Sequence, residues 1–217
     1  MSGDSLYRAE LFFRRLTPEW LKTLARLMRL VFRPAPAHAP TIPQQQLEGA
    51  VLLNDRAEML RRLPKGGVVC ELGTWRGDFA RAILDVVQPS ELHLVDITFE
   101  NCRKDVLDDP RVHRHETMTT AYLAAPDAPA FDWIYVDADH EYQAVAADIA
   151  AAKARVKPGG LLVFNDFARI VRPGLGVFGV HQAVCEFAVA DGWPVAYFCM
   201  NGEALYDIAL RRPDTVA

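Results

Sequence analysis

Oxygen-bearing side chains and one imidazole follow two apolar segments of the sequence. Asp137 ends the segment Phe131–Asp137, and His140 follows shortly after it, while Asn165 and Asp166 end a second segment. Mg²⁺ binds hard oxygen donors, which carboxylates and amide carbonyls supply. A histidine, with an ordinary pKa of about 6.5, suits general-base catalysis near neutral pH. The pattern predicts a Mg²⁺ site of Asp137, Asn165 and Asp166, with His140 and Asp137 as catalytic residues.

Other roles stay open for these side chains. The acids alternatively cap their strands and position a ligand without a metal, and His140 is alternatively a metal ligand or a structural histidine. Arg169 and Arg172 flank the glycine-rich stretch Pro173–Gly179, which predicts a mobile flap over a substrate. His181 begins the next helix and is a candidate second base, substrate contact or structural histidine.

A glycine pair separates an apolar segment from an amphipathic one. Gly73 and Gly77 follow Val68–Glu71 with the spacing G-x-x-x-G, which differs from the G-x-G-x-x-G of dinucleotide sites. Glycine lets the backbone turn sharply against a ligand, and the following helix offers free N–H groups. Asp96 ends the next apolar segment, and its two oxygens match the vicinal diol of a ribose. The pattern predicts a nucleoside site, with a solvated strand-end carboxylate as the alternative for Asp96.

These side chains need strands that bring them to one edge of a sheet. From residue 44 onward apolar and amphipathic segments alternate, which predicts a doubly wound, mostly parallel α/β sheet. Asn201-Gly202 predicts a closing antiparallel hairpin, and the sheet then has seven strands. The predicted strands are Val68–Glu71, Glu91–Asp96, Val112–His115, Phe131–Asp137, Leu161–Asn165, Val195–Met200 and Ala204–Leu210. The predicted helices are Leu47–Leu63, Asp78–Val87, Phe99–Leu107, Thr119–Ala124, Tyr142–Val156 and Val180–Ala190.

The composition is that of an ordinary globular protein. With 217 residues, 51% of them hydrophobic, and a net charge of −4, the chain can form one sizeable domain and gives no global case for a nucleic-acid partner. Its four cysteines form no C-x-x-C pair, which favours reduced thiols and a cytoplasmic location. No apolar run approaches the roughly 18 residues of a membrane span. Arginines interrupt the N-terminal apolar patches, which argues against a signal peptide.

The first 43 residues differ in character from the rest. Residues 5–33 have the apolar periodicity of helices with basic residues on the polar sides, and residues 34–43 form a proline- and alanine-rich linker. We therefore expect a basic helical segment with its linker at 1–43 and a catalytic domain at 44–217. The apolar stripe needs a partner, and we expect a lid or the interface of a homodimer or higher homo-oligomer. Peripheral membrane contact and packing on the protein's own core are the alternatives.

The stretch ELGTWRG, which begins at Glu71, resembles motif I of class I S-adenosylmethionine (SAM) dependent methyltransferases. The resemblance extends over nearly all of the chain after the linker and implies the Rossmann-like methyltransferase fold. It implies that the methionine part of SAM lies by Glu71, Gly73 and Gly77, the ribose on Asp96, and the adenine amino group near Glu116. The cofactor-binding residues that it implies are Glu71, Gly73, Thr74, Trp75, Gly77, Asp96, Ile97, Glu116 and Asp137.

The later run VDADHEY…VKPGGLLVFNDF resembles the metal-dependent O-methyltransferases: the catechol and caffeoyl-CoA enzymes and the bacterial antibiotic and sugar types. Asn165-Asp166 reverses the order of the ligand pair of the catechol type, and His140 stands at the offset of a catalytic lysine. The resemblance implies Mg²⁺-assisted methyl transfer from SAM to a hydroxyl of a small molecule. A metal-independent methyltransferase, an NAD-linked Rossmann oxidoreductase and a non-catalytic SAM-binding protein are the alternatives.

Overall fold

Eight strands form a single sheet in the part of the chain that the structure, a computed structural model, describes: residues 18, 38–169, 178–201 and 205–214. The strands are β1 Val51–Leu53, β2 Val68–Leu72, β3 Glu91–Asp96, β4 Val112–Glu116, β5 Phe131–Val136, β6 Val156–Phe164, β7 Val195–Cys199 and β8 Asp207–Arg211. Their order across the sheet is β1-β7-β8-β6-β5-β2-β3-β4. Strand β8 pairs antiparallel with β6 and β7, and all other pairs are parallel. The predicted α/β class with an antiparallel C-terminal hairpin is therefore confirmed.

Helices cover both faces of this sheet. They are α1 Gln44–Leu47, α2 Arg56–Arg62, α3 Asp78–Val86, α4 Lys104–Leu107, α5 Thr119–Ala124, α6 Tyr142–Ala152 and α7 Val180–Asp191. Apolar side chains of α2, α3 and α4 pack on one face, and those of α5, α6 and α7 pack on the other. Strand β5 supplies both layers, because Trp133 and Tyr135 point to the first face and Ile134 and Val136 to the second.

The strand order places the candidate site at a switch point. The chain proceeds from β2 outward through β3 to β4, and then continues on the other side of β2 through β5 to β6. In register, Leu72 at the end of β2 faces Val95 on one side and Val136 on the other. Open α/β sheets bind ligands outside the carboxyl ends of strands at such a point. The chain leaves β2 for a helix on one face of the sheet and leaves β5 for a helix on the other.

The predicted helix Leu47–Leu63 is wrong, because the structure divides this segment into three elements. Gly49 adopts a left-handed φ of +82° after α1, which stops the helix. The Asp55 carboxylate accepts the Glu58 N–H at 2.8 Å and caps the start of α2. Between them β1 pairs with β7, so the sheet has eight strands and not the predicted seven.

The glycine-containing stretch before Leu161 belongs to β6 and is not a loop. The Gly159 N–H donates to the Arg212 carbonyl at 3.0 Å, and the Arg212 N–H donates to the Gly160 carbonyl at 2.9 Å. These bonds to the chain after β8 extend the strand towards its N-terminus. The predicted helix Tyr142–Val156 is too long, because α6 ends at Ala152 and Val156 is the first residue of β6.

Several predictions concern residues outside the described ranges. These are the N-terminal helices within residues 5–33, Arg172 with most of the loop Pro173–Gly179, and the turn residue Gly202. The division of the chain at residues 43 and 44 stays a prediction. Among the described residues, none of the helices has the length and apolar character needed to cross a membrane.

A buried aspartate gives the fold a testable pH dependence. Asp148 is 3% exposed and accepts the Thr119 hydroxyl, and burial raises the pKa of its carboxyl to about 6. In the unfolded chain the pKa of an aspartate is about 3.9. The protonated Asp148 therefore contributes its full stability to the fold below a pH of about 3.9, and this contribution is lost as the pH rises through about 6. We expect Asp148→Asn to raise the free energy of unfolding by about 1–2 kcal/mol at pH 8 and by less at pH 5.5.

Urea unfolding at the two pH values measures this difference. The exposed Asp127 is the matched control, and Asp127→Asn should change stability by less than about 0.5 kcal/mol at either pH. A variant Asp148→Asn that is less stable than the wild type at pH 8 would contradict the expectation. That result would mean that the ionised carboxylate stabilises the fold.

Candidate functional site

The turn after β2 packs directly against the chain that leaves β5. Gly73 has a φ of +87°, and its N–H donates to the Val95 carbonyl at 2.8 Å. A Cβ atom at this position would lie 2.3 Å from the Asp137 carbonyl oxygen and 2.7 Å from the Ala138 Cα. Both the backbone angle and the contact therefore require glycine. The turn brings the predicted nucleoside site next to the predicted acid cluster.

Asp96 holds the glycine turn in place. Its Oδ2 accepts the Thr74 and Trp75 N–H groups, each at 2.8 Å, while Oδ1 accepts, from the described residues, just the Thr98 N–H at 3.3 Å. Hydrogen bonds to a charged acceptor are strong, so Oδ2 fixes the turn conformation. Oδ1 keeps acceptor capacity for a ligand hydroxyl. The structure thus joins two sequence motifs that were predicted to bind the same ligand.

Exposed apolar side chains border this carboxylate. Trp75 adopts a φ of +47° and is 65% exposed, with the Arg76 guanidinium 4.4 Å from its ring centre. Ile97, which follows Asp96, is also exposed. On the other side of the turn, Gly77 has a φ of +76° and precedes the first residue of α3. The edge therefore offers flat apolar surfaces beside a polar acceptor and a helix N-terminus.

Glu71 is the buried acid behind the turn. It is 1% exposed, and its Oε2 has no hydrogen-bond partner among the described residues. Burial raises the pKa of this carboxyl well above its ordinary value, and the negative charge of Asp137 adds to the effect. A buried polar atom without a partner is costly. This side chain is therefore suited to pair with a polar or cationic group of a ligand.

The second part of the site lies after β5 and β6. The Asp137 N–H donates to the Leu72 carbonyl at 2.8 Å, and its Oδ1 accepts the Asn165 amide at 2.7 Å. His140 Nε2 lies 3.5 Å from Asp137 Oδ1 and 3.5 Å from Asp166 Oδ2. These distances are longer than well-formed hydrogen bonds. One imidazole nitrogen thus faces two carboxylates that come from adjacent strands.

Burial sets the protonation of this group. It raises the pKa of Asp137 to about 7, with Asn165 opposing and the negative charge of Asp166 adding to the rise. It also raises the pKa of Asp166, against the charge of His140. The pKa of His140 is lowered by burial, and Asp166 and Asp139 oppose that shift. A neutral imidazole beside carboxylates can accept a proton, because the carboxylates stabilise the imidazolium that forms.

The donors fit Mg²⁺ only in part. Asp137 and Asp166 can each supply a carboxylate oxygen, and Mg²⁺ commonly binds one or two carboxylates and keeps several waters. The Asn165 Oδ1, however, accepts from Arg56 at 2.9 Å and from the Tyr135 hydroxyl at 3.3 Å, and its amide nitrogen faces Asp137. In this orientation the Asn165 oxygen faces Arg56 and Tyr135, while Asn165 as a third ligand stays a prediction. Its amide nitrogen donates to Asp137 Oδ1 at 2.7 Å, which fixes the position of that carboxylate.

Sequence reasoning missed Arg56. This residue begins α2, and its Nε lies 3.5 Å from the buried Asp207 carboxylate. Its guanidinium also lies 5.6 Å from the Phe79 ring centre and bonds Asn165. Burial raises the pKa of Asp207 to about 6, and the Arg56 charge opposes that rise. A single arginine at a helix start has no distinctive spacing, so only the folded chain reveals that it stands behind the acids.

Two predicted residues lie at the margin of the site. Glu116 ends β4 and is the register partner of Asp96, with an exposed side chain. His181 lies on α7, where its ring centre is 4.8 Å from that of Phe167 and its Nε2 is 3.8 Å from the Cys185 sulfur. The contacts of His181 are those of a packed side chain. Glu116 lies beside Asp96 in the register of β3 and β4, and its contact with a nucleoside stays a prediction.

Residues 70–167 match the family model described as a methyltransferase domain. N-methyltransferase NodS from Bradyrhizobium japonicum WM9 is 18% identical, with a TM-score of 0.54 over 73% of this chain and 94% of that chain. An O-methyltransferase family protein from Burkholderia thailandensis is 15% identical, with a TM-score of 0.56 over 73% and 55%. MycE methyltransferase from the mycinamycin biosynthetic pathway, in complex with Mg and S-adenosylhomocysteine (SAH), is 17% identical, with a TM-score of 0.52 over 73% and 48%. No curated protein matches the sequence.

At these identities the solved structures show the fold. The fold and the match of residues 70–167 to a methyltransferase domain agree with the resemblance to class I SAM-dependent methyltransferases. The predicted resemblance is therefore confirmed at the level of this class.

Proposed function

We propose that the protein transfers the methyl group of SAM to a hydroxyl of a small molecule, with His140 as the general base. The observation that supports this most directly is the position of His140 Nε2, 3.5 Å from a carboxylate oxygen of both Asp137 and Asp166. Asp137 joins this group to the glycine turn, because its backbone packs against Gly73. A proton acceptor thus lies beside the edge that would hold the methyl donor.

The donor side of the proposal rests on the first part of the site. Asp96 Oδ1 would accept a ribose hydroxyl, since Oδ2 is already engaged by the turn. The unpartnered Glu71 Oε2 lies behind the turn and would interact with the ammonium of the methionine part. Trp75 and Ile97 expose apolar surface on which an adenine ring would lie. Gly77 provides no side-chain cap for α3, so the first N–H groups of that helix would be available to the ligand.

The acceptor side follows from charge. The neutral His140 would take the proton of the acceptor hydroxyl at Nε2, and Asp166 and Asp137 would stabilise the resulting imidazolium. The ring stacks on Phe178 with centres 4.4 Å apart, which holds it in place and keeps water from one face. A divalent cation held by Asp137 and Asp166 would lower the pKa of the hydroxyl when bound. The main contribution of the protein is then to hold donor and acceptor in line.

A nitrogen acceptor is the second candidate. NodS, whose fold this chain shares, is an N-methyltransferase, and His140 could equally accept a proton from an amine. An amine does not need a metal, because a base that takes one proton from its ammonium form frees the nitrogen lone pair. The response to chelation therefore separates the two candidates.

The experiment measures transfer of a radiolabelled methyl group from SAM to a panel of catechols, phenols, sugars and amines. We expect turnover with a hydroxylated compound, loss of that turnover in EDTA, and recovery when Mg²⁺ is added. Calorimetry with SAH in EDTA is the control, because intact donor binding shows that chelation has not unfolded the protein. Turnover of amines alone, or of hydroxyls at full rate in EDTA, would contradict the metal-assisted reaction.

A further inference from the structure

A second cluster of metal-ligating side chains lies on β3 and β4. His93 and His113 are register partners in these parallel strands, and Glu91 stands two residues before His93. Side chains alternate along a strand, so all three lie on one face of the sheet. Three of the six histidines of the sequence, His93, His113 and His115, gather at this place. The methyl-transfer site uses none of these residues.

The three donor atoms have the spacing of a metal site. Glu91 Oε2 lies 3.2 Å from His93 Nε2 and 3.7 Å from His113 Nε2. All three atoms are within 4.8 Å of one another, and this is the sole group of three such donors among the described residues. Tetrahedral ligands about 2.0–2.1 Å from Zn²⁺ are separated by roughly 3.3 Å. The two measured distances lie on either side of that separation.

His93 is oriented by a second set of contacts. Its Nδ1 lies 2.6 Å from the Tyr122 hydroxyl and 3.1 Å from His115 Nε2. The His93 ring also stacks between neighbours, with centres 4.8 Å from His113 and 5.3 Å from His115. Metal-ligating histidines characteristically have the other ring nitrogen held in this way, which directs the free nitrogen at the ion. His93 is therefore preorganised with Nε2 facing Glu91.

We propose that Glu91, His93 and His113 bind a divalent transition-metal ion, with Zn²⁺ as the best match. Two imidazole nitrogens and one carboxylate suit Zn²⁺, whereas Mg²⁺ and Ca²⁺ prefer oxygen ligands throughout. The side chains of Glu91 and His113 are 46% and 47% exposed, and that of His93 is 8% exposed. An ion can thus enter from solvent and keep water in the remaining position.

This site is separate from the methyl-transfer site. Glu91 and Asp96 are the first and last residues of β3, which puts them roughly 16 Å apart along the strand. Strand β4 is an outer strand of the described sheet and pairs there with β3 alone. An ion bound by both strands would fasten β4 to the sheet and stabilise the folded state, because the unfolded chain does not hold the three ligands together.

Zinc titration of the full-length chain, freed of any affinity tag and stripped with EDTA, tests the proposal. We expect one Zn²⁺ per chain at this site and a rise in melting temperature. His113→Gln and Glu91→Gln should each weaken the binding by about 100-fold or more, since each removes a ligand. Histidine side-chain NMR of the wild type should show His93 and His113 shifting with Zn²⁺, which does not depend on how the variants fold.

Two controls distinguish this site from others. His38→Gln removes an exposed histidine elsewhere and should leave the affinity unchanged. Asp166→Asn removes a candidate ligand of the methyl-transfer site and should also leave this binding intact. Wild-type-like Zn²⁺ affinity in both His113→Gln and Glu91→Gln, or loss of the binding only in Asp166→Asn, would overturn the proposal.

Discussion

Replacing Asp96 with alanine is expected to weaken binding of SAM and SAH by about 100-fold to 1,000-fold, since each hydrogen bond to a charged group contributes about 1.5–3 kcal/mol. The substitution removes the acceptor that fixes the Thr74 and Trp75 N–H groups. It also removes Oδ1, which accepts the Thr98 N–H at 3.3 Å and is proposed to accept a ribose hydroxyl as well. One change therefore disorders the turn and deletes a ligand contact.

Calorimetric titration with SAH measures this loss. Asp96→Asn is the informative intermediate, because it keeps one acceptor oxygen and should lose less affinity than alanine. Asp85→Asn is the matched control. Asp85 is an exposed residue of α3 that pairs with Arg81, so the substitution removes one negative charge at a place away from the turn. SAH affinity in Asp96→Ala within a few-fold of the wild type would exclude Asp96 as the ribose acceptor.

Local patterns in the sequence predicted the strands that deliver the site. Strand β3 has the predicted bounds, because a short, mostly apolar run ends at an aspartate. Strand β1 shows the limit of such patterns. Its three residues are extended only because they pair with Tyr197–Cys199, far along the chain. The surrounding sequence has a helical periodicity, which concealed this pairing. The local sign that the helix ends is Gly49, a single residue whose left-handed conformation a sequence pattern does not reveal.

The same distinction applies to the site. Asp96, Asp137 and Asp166 were predictable as candidates, because parallel strands bring their carboxyl ends to one edge of a sheet. Arg56 was not, since its partner Asn165 is 109 residues away and helical arginines are usually solvated. The orientation of the Asn165 amide depends on that contact. For this reason the sequence supports Asn165 as a metal ligand, while the structure turns its oxygen towards Arg56.

The contact with Arg56 also sharpens the expected metal dependence. The guanidinium lies behind Asn165 and Asp207, and its charge lowers the pKa of Asp137 and of Asp166 in opposition to their burial. The positive charge of Arg56 thus partly offsets the negative charges of Asp137 and Asp166 without a metal. A cation at Asp137 and Asp166 would have two protein ligands, which leaves positions for water and acceptor. Such a site should exchange its metal readily, as the chelation experiment requires.

His140→Gln is expected to lower kcat by about 10²-fold to 10⁴-fold, the usual contribution of a general base. The affinity for SAH should change little, because the residue is not among those proposed to contact the donor. Glutamine keeps polar atoms near Asp137 and Asp166 but cannot accept the proton. In the wild type, kcat should rise with pH and then level off, because only the neutral imidazole is active. Burial lowers the pKa of His140, so this rise should lie below the ordinary histidine value of about 6.5.

His181→Gln is the control, since it removes the other candidate base. Its ring packs on Phe167 and Cys185, so we expect a small loss of stability and an unchanged pH profile. Single-turnover rates between pH 5 and 8, with melting temperatures for each variant, separate the two histidines. If His140→Gln kept both the rate and the low-pH rise, the proton would have to leave through Asp137 or Asp166. Their pKa values are raised by burial, which would make a carboxylate the base and leave His140 to orient it.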